Sequence, residues 1–335
     1  MHALPEFSLH RPASVAEAAA WLATEPAARL IAGGTDLLPN LRRGLDSPSV
    51  LIDLSGLPDF ANVELLADGG MQLGAGLTLA AITADATIAA HLPALAEAAR
   101  AAAGPGHRSA ATLGGNLCQD TRCVFYNQSE WWRASNDYCL KRGGQTCHVA
   151  PQGTRCHAAF SGDLAPVLLA LGAQVQLQSA SNSRWLPLVQ LYRDDGAAHL
   201  TLAPGELLTQ VQVPPPMRGL ACSYRKARVR GSLDFPLAAV AVALVLEQGR
   251  IGSLAVGLSG TNAHPLLLAG TVELAGQAVD DALITKIGKL VQQQVSPMRS
   301  TVTPSNYRRQ VAAALTQRLL REMAGASVTP SRPTT

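Results

Sequence analysis

Two sets of residues in this 335-residue chain are spaced as chemistry would require. Five of the six cysteines fall between Cys118 and Cys156, and Cys222 lies outside that stretch. After Cys123 the thiols follow at intervals of 16, 8 and 9 positions, at Cys139, Cys147 and Cys156. This spacing fits neither a two-residue zinc knuckle nor a ferredoxin run, but four thiolates on one polar, Gly-bearing loop suit a tetrahedral ion or a cubane iron–sulfur cluster. Spacing alone leaves zinc, iron–sulfur and chance clustering of buried thiols all open. The second set is a pair of glycine motifs, Ala32-Gly33-Gly34-Thr35-Asp36 and Thr112-Leu113-Gly114-Gly115-Asn116. Paired glycines let a ligand approach the backbone and allow positive φ. Thr35 can give its hydroxyl to a phosphate oxygen, and Asp36 can set the entry of the next helix. Singly, each motif reads equally well as a tight turn. Together they could form opposite walls of a cleft for a diphosphate. Neither fits G-x-G-x-x-G or a Walker loop, which argues against a Rossmann NAD site and an ATPase.

Local patterning supplies the elements that must carry these motifs. Ser14 with Glu17 reads as a capping box opening a helix through Ala18–Ala23. Arg29–Ala32 reads as a strand running into the first glycine motif, Leu37–Arg43 as the helix after it, and Val50–Asp53 as a further strand. Strand, glycine turn and helix in that order suit an anion site, because backbone N–H groups there attract negative charge. A strand at Met71–Gly76, helices at Leu79–Ala84 and Leu92–Ala103, a helix from Asp163–Pro166 to Leu171, and strands at Ala173–Leu177 and Gln210–Val213 follow. Pro214-Pro215-Pro216 breaks the pattern and marks a domain boundary. Beyond it, strands at Ala221–Ala227, Leu237–Leu246 and Ile251–Leu258 precede helices at Asp280–Gln292 and Asn306–Met323, an α+β unit. Ser327–Thr335 is Pro/Ser/Thr-rich and is expected to be disordered.

Composition narrows the function classes. Lys+Arg total 27 against Asp+Glu 24, and no basic stripe interleaves with aromatics, so nucleic acid is not expected as a partner. Only 15% of residues are charged, which either an Ala-rich composition or surface buried against partner chains would produce. Glu6, His10 and Arg11 interrupt the N-terminus where a signal peptide would be apolar. The longest apolar run, Leu237–Leu246, is too short to cross a bilayer. A cytoplasmic location is expected, where cysteines serve as thiols or metal ligands rather than disulfides.

The two glycine motifs, with Asp163-Leu164-Ala165-Pro166 and Tyr224-Arg225-Lys226, resemble the flavoprotein subunit of the xanthine dehydrogenase, aldehyde oxidoreductase and carbon monoxide dehydrogenase group, over nearly the whole chain to about Met323. The resemblance implies an α+β fold with a two-part FAD-binding domain of the PCMH/CO dehydrogenase flavoprotein type and a C-terminal α+β domain of a three-stranded sheet with helices. The parts would be 1–56, 57–216 with an inserted loop at about 119–160, 217–325, and a tail at 326–335. It implies that Leu30, Ile31, Ala32, Gly33, Gly34, Thr35, Asp36 and Leu37, with Ala111, Thr112, Gly114, Gly115 and Asn116, hold the diphosphate and adenosine of FAD. Ala103, Gln119, Asp163, Leu208 and Lys226 would be further contacts, with Lys226 near the flavin ring; a surface charge is the plainer interpretation of that lysine.

Within the loop, Asp120 to Arg133 (with Phe125-Tyr126-Asn127-Gln128-Ser129-Glu130-Trp131-Trp132) and Tyr138-Cys139-Leu140-Lys141 resemble the insertion of the 4-hydroxybenzoyl-CoA reductase β subunits. That resemblance implies a 4Fe–4S cluster on Cys123, Cys139, Cys147 and Cys156. Cys118 and Cys222 read as packing residues, Trp131 and Trp132 as loop packing, and His148 and His157 receive no ligand role. It also implies a large molybdopterin subunit, a small 2Fe–2S subunit, ferredoxin as electron donor and a dimer of heterotrimers. Electrons would pass from the cluster to FAD and onward to molybdenum, where 4-hydroxybenzoyl-CoA becomes benzoyl-CoA, so no side chain here need be catalytic. A flavin subunit of another molybdenum hydroxylase, a zinc-stabilised scaffold without redox activity and a free-standing flavin oxidase are the alternatives.

Overall fold

The computed structural model describes residues 3–230, 234–298 and 303–326. The first sheet is parallel, in the order β1-β3-β2, from β1 (Ser8–His10), β2 (Arg29–Ile31) and β3 (Val50–Asp53). Helix α1 (Val15–Thr24) makes the crossover between β1 and β2. Ser14 Oγ accepts from Glu17 N at 3.1 Å, while the Glu17 carboxylate reaches back to Ala13 N at 2.7 Å, one residue before the cap. Helix α2 (Leu37–Arg42) follows the first glycine motif. β1 carries no period-2 apolar pattern, and its pairing with β3 was not evident in the sequence.

Residues 63–213 build a five-stranded antiparallel sheet, β4-β5-β8-β6-β7, from β4 (Val63–Leu65), β5 (Met71–Gly74), β6 (Gln174–Gln178), β7 (Ser183–Pro187) and β8 (Leu207–Val213). Between β5 and β6 run α3 (Leu79–Ala84), α4 (Ala86–His91), α5 (Pro93–Ala101), α6 (Pro105–Arg108), α7 (Leu113–Leu117), α8 (Glu130–Ala134) and α9 (Ala165–Ala170). The helix expected at Leu92–Ala103 begins at Pro93, whose missing N–H costs nothing at a first helical position. The separate turn α4 precedes it, capped by Asp85 Oδ1 accepting from Ile88 N at 2.8 Å.

The third sheet is β12-β11-β10-β9, antiparallel, from β9 (Ala221–Ala227), β10 (Ala238–Glu247), β11 (Arg250–Ser259) and β12 (Leu266–Leu267). The expected three strands therefore gain a two-residue fourth, which sequence could not mark because two residues carry no period. In β10 successive side chains serve different cores. Ala239, Ala241 and Ala243 face the core built by the preceding two sheets, and Ala238, Val240, Val242 and Leu244 pack against α10 (Asp281–Gln294) and α11 (Ser305–Ala326). Small residues on the first side let the sheet approach α9 closely. A Cβ at Gly257 would stand 2.0 Å from Pro166 O. Ala326 still belongs to α11, and the expected disordered tail, Ser327–Thr335, lies outside the described residues. Among the described residues no helix is long and apolar enough to cross a membrane.

Candidate functional site

A cavity of about 840 Å³ opens where the three sheets approach one another, within the size range of small-molecule sites. The structure places Leu30 to Leu37, Ala103, Ala111, Thr112, Gly114, Gly115, Asn116, Gln119, Asp163, Leu208 and Lys226 together on its wall.

The two glycine motifs touch. A Cβ at Gly33 would lie 1.8 Å from Ala110 O, so only glycine permits the first turn to close on the entry of the second. Gly34 has φ +65, the left-handed region in which side chains are strained. Their amides have different uses. Gly114 N donates to Ala75 O at 2.8 Å, Gly115 N to the capping Thr112 Oγ1 at 3.1 Å, and Asn116 N to Thr112 O at 2.8 Å. Among the described residues the amides of Gly33, Gly34, Thr35 and Asp36 have no acceptor. Successive free N–H groups in a turn attract an anion. The first motif thus keeps its amides free to meet an anion, while the second spends its own on the protein and packs against the first. Asn116 also ties the wall to α9, its Oδ1 accepting from Leu164 N at 3.0 Å.

Asp36 does not cap α2 as expected: it makes no side-chain cap bond. Its carboxylate instead accepts from Asp120 N at 2.8 Å and pairs with Arg122, joining the glycine turn to the cysteine loop. Asp120 in turn pairs with the buried Lys141 Nζ at 2.5 Å, and that ammonium also donates to Thr121 Oγ1 at 2.6 Å and lies 4.3 Å from the Tyr126 ring centroid. Arg122, Tyr126, Lys141 and Arg142 all line the cavity. Sequence had singled out their neighbourhood for the cysteines, not for the cavity; only pairings 84 and 86 residues apart in the chain connect the two.

At the other side Lys226 and Asp163 form a buried pair at 3.0 Å, with side chains 3% and 7% exposed. Lys226 is therefore no surface charge. Tyr224 OH donates to Asp163 Oδ1 at 2.7 Å, and burial, reinforced by the Asp163 charge, holds the phenol well above its ordinary pKa, so it stays a donor. Ala103 sits at φ +42, with Arg108 Nη1 donating to its carbonyl at 2.7 Å. His107 also lines the cavity. His199 lines it too; burial, then Lys141, pushes its pKa down to about 4, and its neutral ring faces Gln119 O through Nε2 at 3.0 Å.

The cysteine loop folds against this wall. Arg133, its side chain 1% exposed, donates to Arg43 O and Gly44 O at 3.2 Å each and to Gln128 O, and it pairs with Glu130. Arg142 adds bonds to Leu45 O at 3.1 Å and Gly44 O at 3.3 Å. Two guanidiniums thus clamp the loop to carbonyls at and just beyond the C-terminal end of α2, where cations are favoured. Trp132 packs on Phe125 as expected, but Trp131 is 76% exposed.

Cys123, Cys147 and Cys156 are buried and Cys139 is partly so. Burial pushes the Cys123 thiol up, the Tyr126 and Phe125 backbone amides that donate to it pull it back, and Cys139 and Cys147 act on it as neighbouring charges. Burial pushes Cys156 up to about 12, against N–H donation from Ala158, while Cys147 and Cys123 add to it. Cys123 and Cys156 thus lie within electrostatic reach of other thiols of the loop. Among the described residues no three His, Cys, Asp or Glu side chains lie close enough to hold a single metal ion. Cys118 and Cys222 pack against the main core, each thiol raised to about 12 by burial.

FAD suits the cavity on the protein's own groups. Besides the free turn amides, Asn40 Oδ1, Arg122 Nε and Arg142 Nε on the wall are buried without a partner, and such atoms are rare unless a ligand or water meets them. Residues 5–216 match the FAD binding domain in molybdopterin dehydrogenase, and residues 222–323 match the CO dehydrogenase flavoprotein C-terminal domain. The aldehyde oxidoreductase FAD-binding subunit PaoB of Escherichia coli is 32% identical over 260 residues, 75% of this chain and 80% of that protein. The carbon monoxide dehydrogenase medium chain of Afipia carboxidovorans is 28% identical over 316 residues, 93% of this chain and 94% of the other. The structure of reconstituted CO dehydrogenase from Oligotropha carboxidovorans superposes with a TM-score of 0.80 at 26% identity, covering 96% of this chain and 99% of that one. The chain belongs to the FAD-binding medium subunits of the molybdenum hydroxylase and CO dehydrogenase family.

Proposed function

We propose that this subunit carries a 4Fe–4S cluster on Cys123, Cys139, Cys147 and Cys156 besides FAD, and passes electrons between the two. The observation that carries this is Tyr126. It lines the cavity and packs in one buried group with Cys123 and Cys156, which sets these thiols next to the cavity wall.

When bound, the cluster supplies one-electron transfer and FAD links one- to two-electron chemistry. The chain's residues do the rest. The Gly33–Asp36 amides receive the diphosphate, Leu30, Ile31, Leu37 and Ala111 flank it, and Gln119 and Leu208 close the wall. The Lys226–Asp163 pair sets the charge beside the flavin ring, and the buried Lys141 stands between the two centres. Partners are a large molybdopterin subunit and a small 2Fe–2S subunit, in keeping with relatives named as medium chains.

The substrate is 4-hydroxybenzoyl-CoA on the wording of the loop, with reduced ferredoxin as donor and a dimer of heterotrimers as the assembly. Two electrons and two protons release the para hydroxyl as water. A second substrate is favoured by the 32% identity to PaoB: an aldehyde, with electrons flowing outward. The complex co-expressed with its partners decides between them. Benzoyl-CoA formed from 4-hydroxybenzoyl-CoA with reduced ferredoxin supports the first; aldehyde-dependent reduction of a soluble acceptor, without benzoyl-CoA formation, supports the second and overturns the first.

A further inference from the structure

One residue of the FAD cavity holds a conformation that its own side chain resists. Ala103 sits at φ +42, in the left-handed region, while Gly104 beside it has φ −88, which any residue adopts. The strain therefore falls on the alanine, and the neighbouring glycine leaves its freedom unused. A strained residue of this kind persists only where its surroundings over-determine it. Ala103 joins α5 to α6 and lines the cavity together with Ala102, Asp163 and Lys226. Its own N–H meets no acceptor among the described residues.

Arg108 supplies the restraint. The last carbonyls of a helix have no partner within it and must find one elsewhere. Ala101 O accepts from Arg228 Nη1 at 3.1 Å and from Lys226 Nζ at 3.3 Å. Arg108 Nη1 meets Arg100 O and Ala102 O at 3.3 Å each and Ala103 O at 2.7 Å. The two N–H groups of that nitrogen serve three acceptors, and the shortest contact goes to the strained residue. Closing the end of α5 does not require that contact, because Ala103 lies beyond the cap residue Ala102. Arg108 does not itself line the cavity, so it acts on the site only through the backbone that it holds.

We propose that Arg108 is a positioning residue for FAD: its guanidinium fixes Ala103 in the left-handed turn, so that this part of the cavity wall is formed before the cofactor arrives. A wall already formed spares FAD the cost of ordering it on binding. The proposal goes beyond the electron-transfer reading and rests on the FAD site alone; a cysteine loop without a cluster would leave it intact.

The test is a pair of substitutions in the assembled complex, stripped of FAD and titrated with FAD, with binding followed by quenching of flavin fluorescence. Arg108→Met should raise the Kd for FAD by about tenfold. In the Ala103→Gly background the same change should raise it by only about twofold, because glycine takes this φ without strain and needs no clamp. The comparison is between the two ratios, so it holds whatever Ala103→Gly does alone. An equal fold-loss in both backgrounds shows that Arg108 acts independently of Ala103 and overturns the proposal. An unchanged Kd in Arg108→Met overturns it as well, even where the urea midpoint falls, since Arg108 would then serve the helix end alone. Should Arg108→Met fail to assemble, Arg108→Lys carries the same comparison under the same criterion, because it keeps the charge without the planar fork. Failure of the unmutated complex to take up FAD would instead overturn the FAD site, and the proposal with it.

Discussion

The turn at Gly33–Asp36 and the loop from Asp120 to Cys156 meet at the Asp36–Arg122 pair, and they are held by contrasting means. The turn is set by backbone. It lies between a strand and a helix, packs against Ala110 at Gly33, where there is no side chain, and spends none of its amides on the protein. The loop has little regular structure, and long cationic side chains hold it: Arg133 and Arg142 on the carbonyls after α2, and Lys141 on Asp120 and Thr121. A cradle for a charged ligand must keep its donors free, so its shape comes from close packing. A loop that presents thiols has no ladder of its own, so buried charges replace one.

The contrast predicts that the two regions can be damaged separately. The largest effect is expected from Gly33→Ala. Its Cβ would collide with backbone that cannot swing aside, costing about 3 kcal/mol, the upper part of the usual overpacking range. The complex should purify with iron but without FAD, measured by flavin fluorescence after denaturation. Arg133→Met should do the reverse. It strips donors from several carbonyls at about 1–3 kcal/mol for those left dry, so limited proteolysis should cut within 120–156 and iron should fall while FAD stays. Equal loss of both cofactors in both variants would remove the distinction.

A smaller effect should appear with pH. His199 has a folded pKa of about 4 against 6.5 when exposed. Its folded pKa is depressed, so the neutral ring contributes full stability above pH 6.5. That stability drains as the unfolded state protonates, by on the order of 3 kcal/mol in all by pH 4. His199→Gln should flatten the fall of the urea midpoint between pH 6.5 and 4; an unchanged slope would show that His199 does not govern it.

The glycine motifs were legible only as a pair, since each alone reads as a tight turn, and Val50–Asp53 was legible from its apolar, partly β-branched run. The division of labour between the motifs was not, since it depends on which amides Ala75 and Thr112 capture. Asp36 read locally as a helix cap and proved to be a long-range partner of Arg122. Arg133 and Lys141 received no role of their own from the sequence, because nothing near them in the chain marks them as buried. The edge strand Ser183–Pro187, mostly exposed, carried no apolar alternation to find.

The central claim is that one chain holds two redox centres on either side of Tyr126. The most direct test is anaerobic purification of the complete complex, followed by separation of this subunit under anaerobic conditions and assay of its flavin, iron, sulfide and zinc. The account predicts one FAD and a 4Fe–4S cluster on this subunit, with the iron lost and the FAD kept in Cys139→Ser. FAD with zinc in place of iron, or FAD with neither metal when air has been excluded throughout, would contradict it.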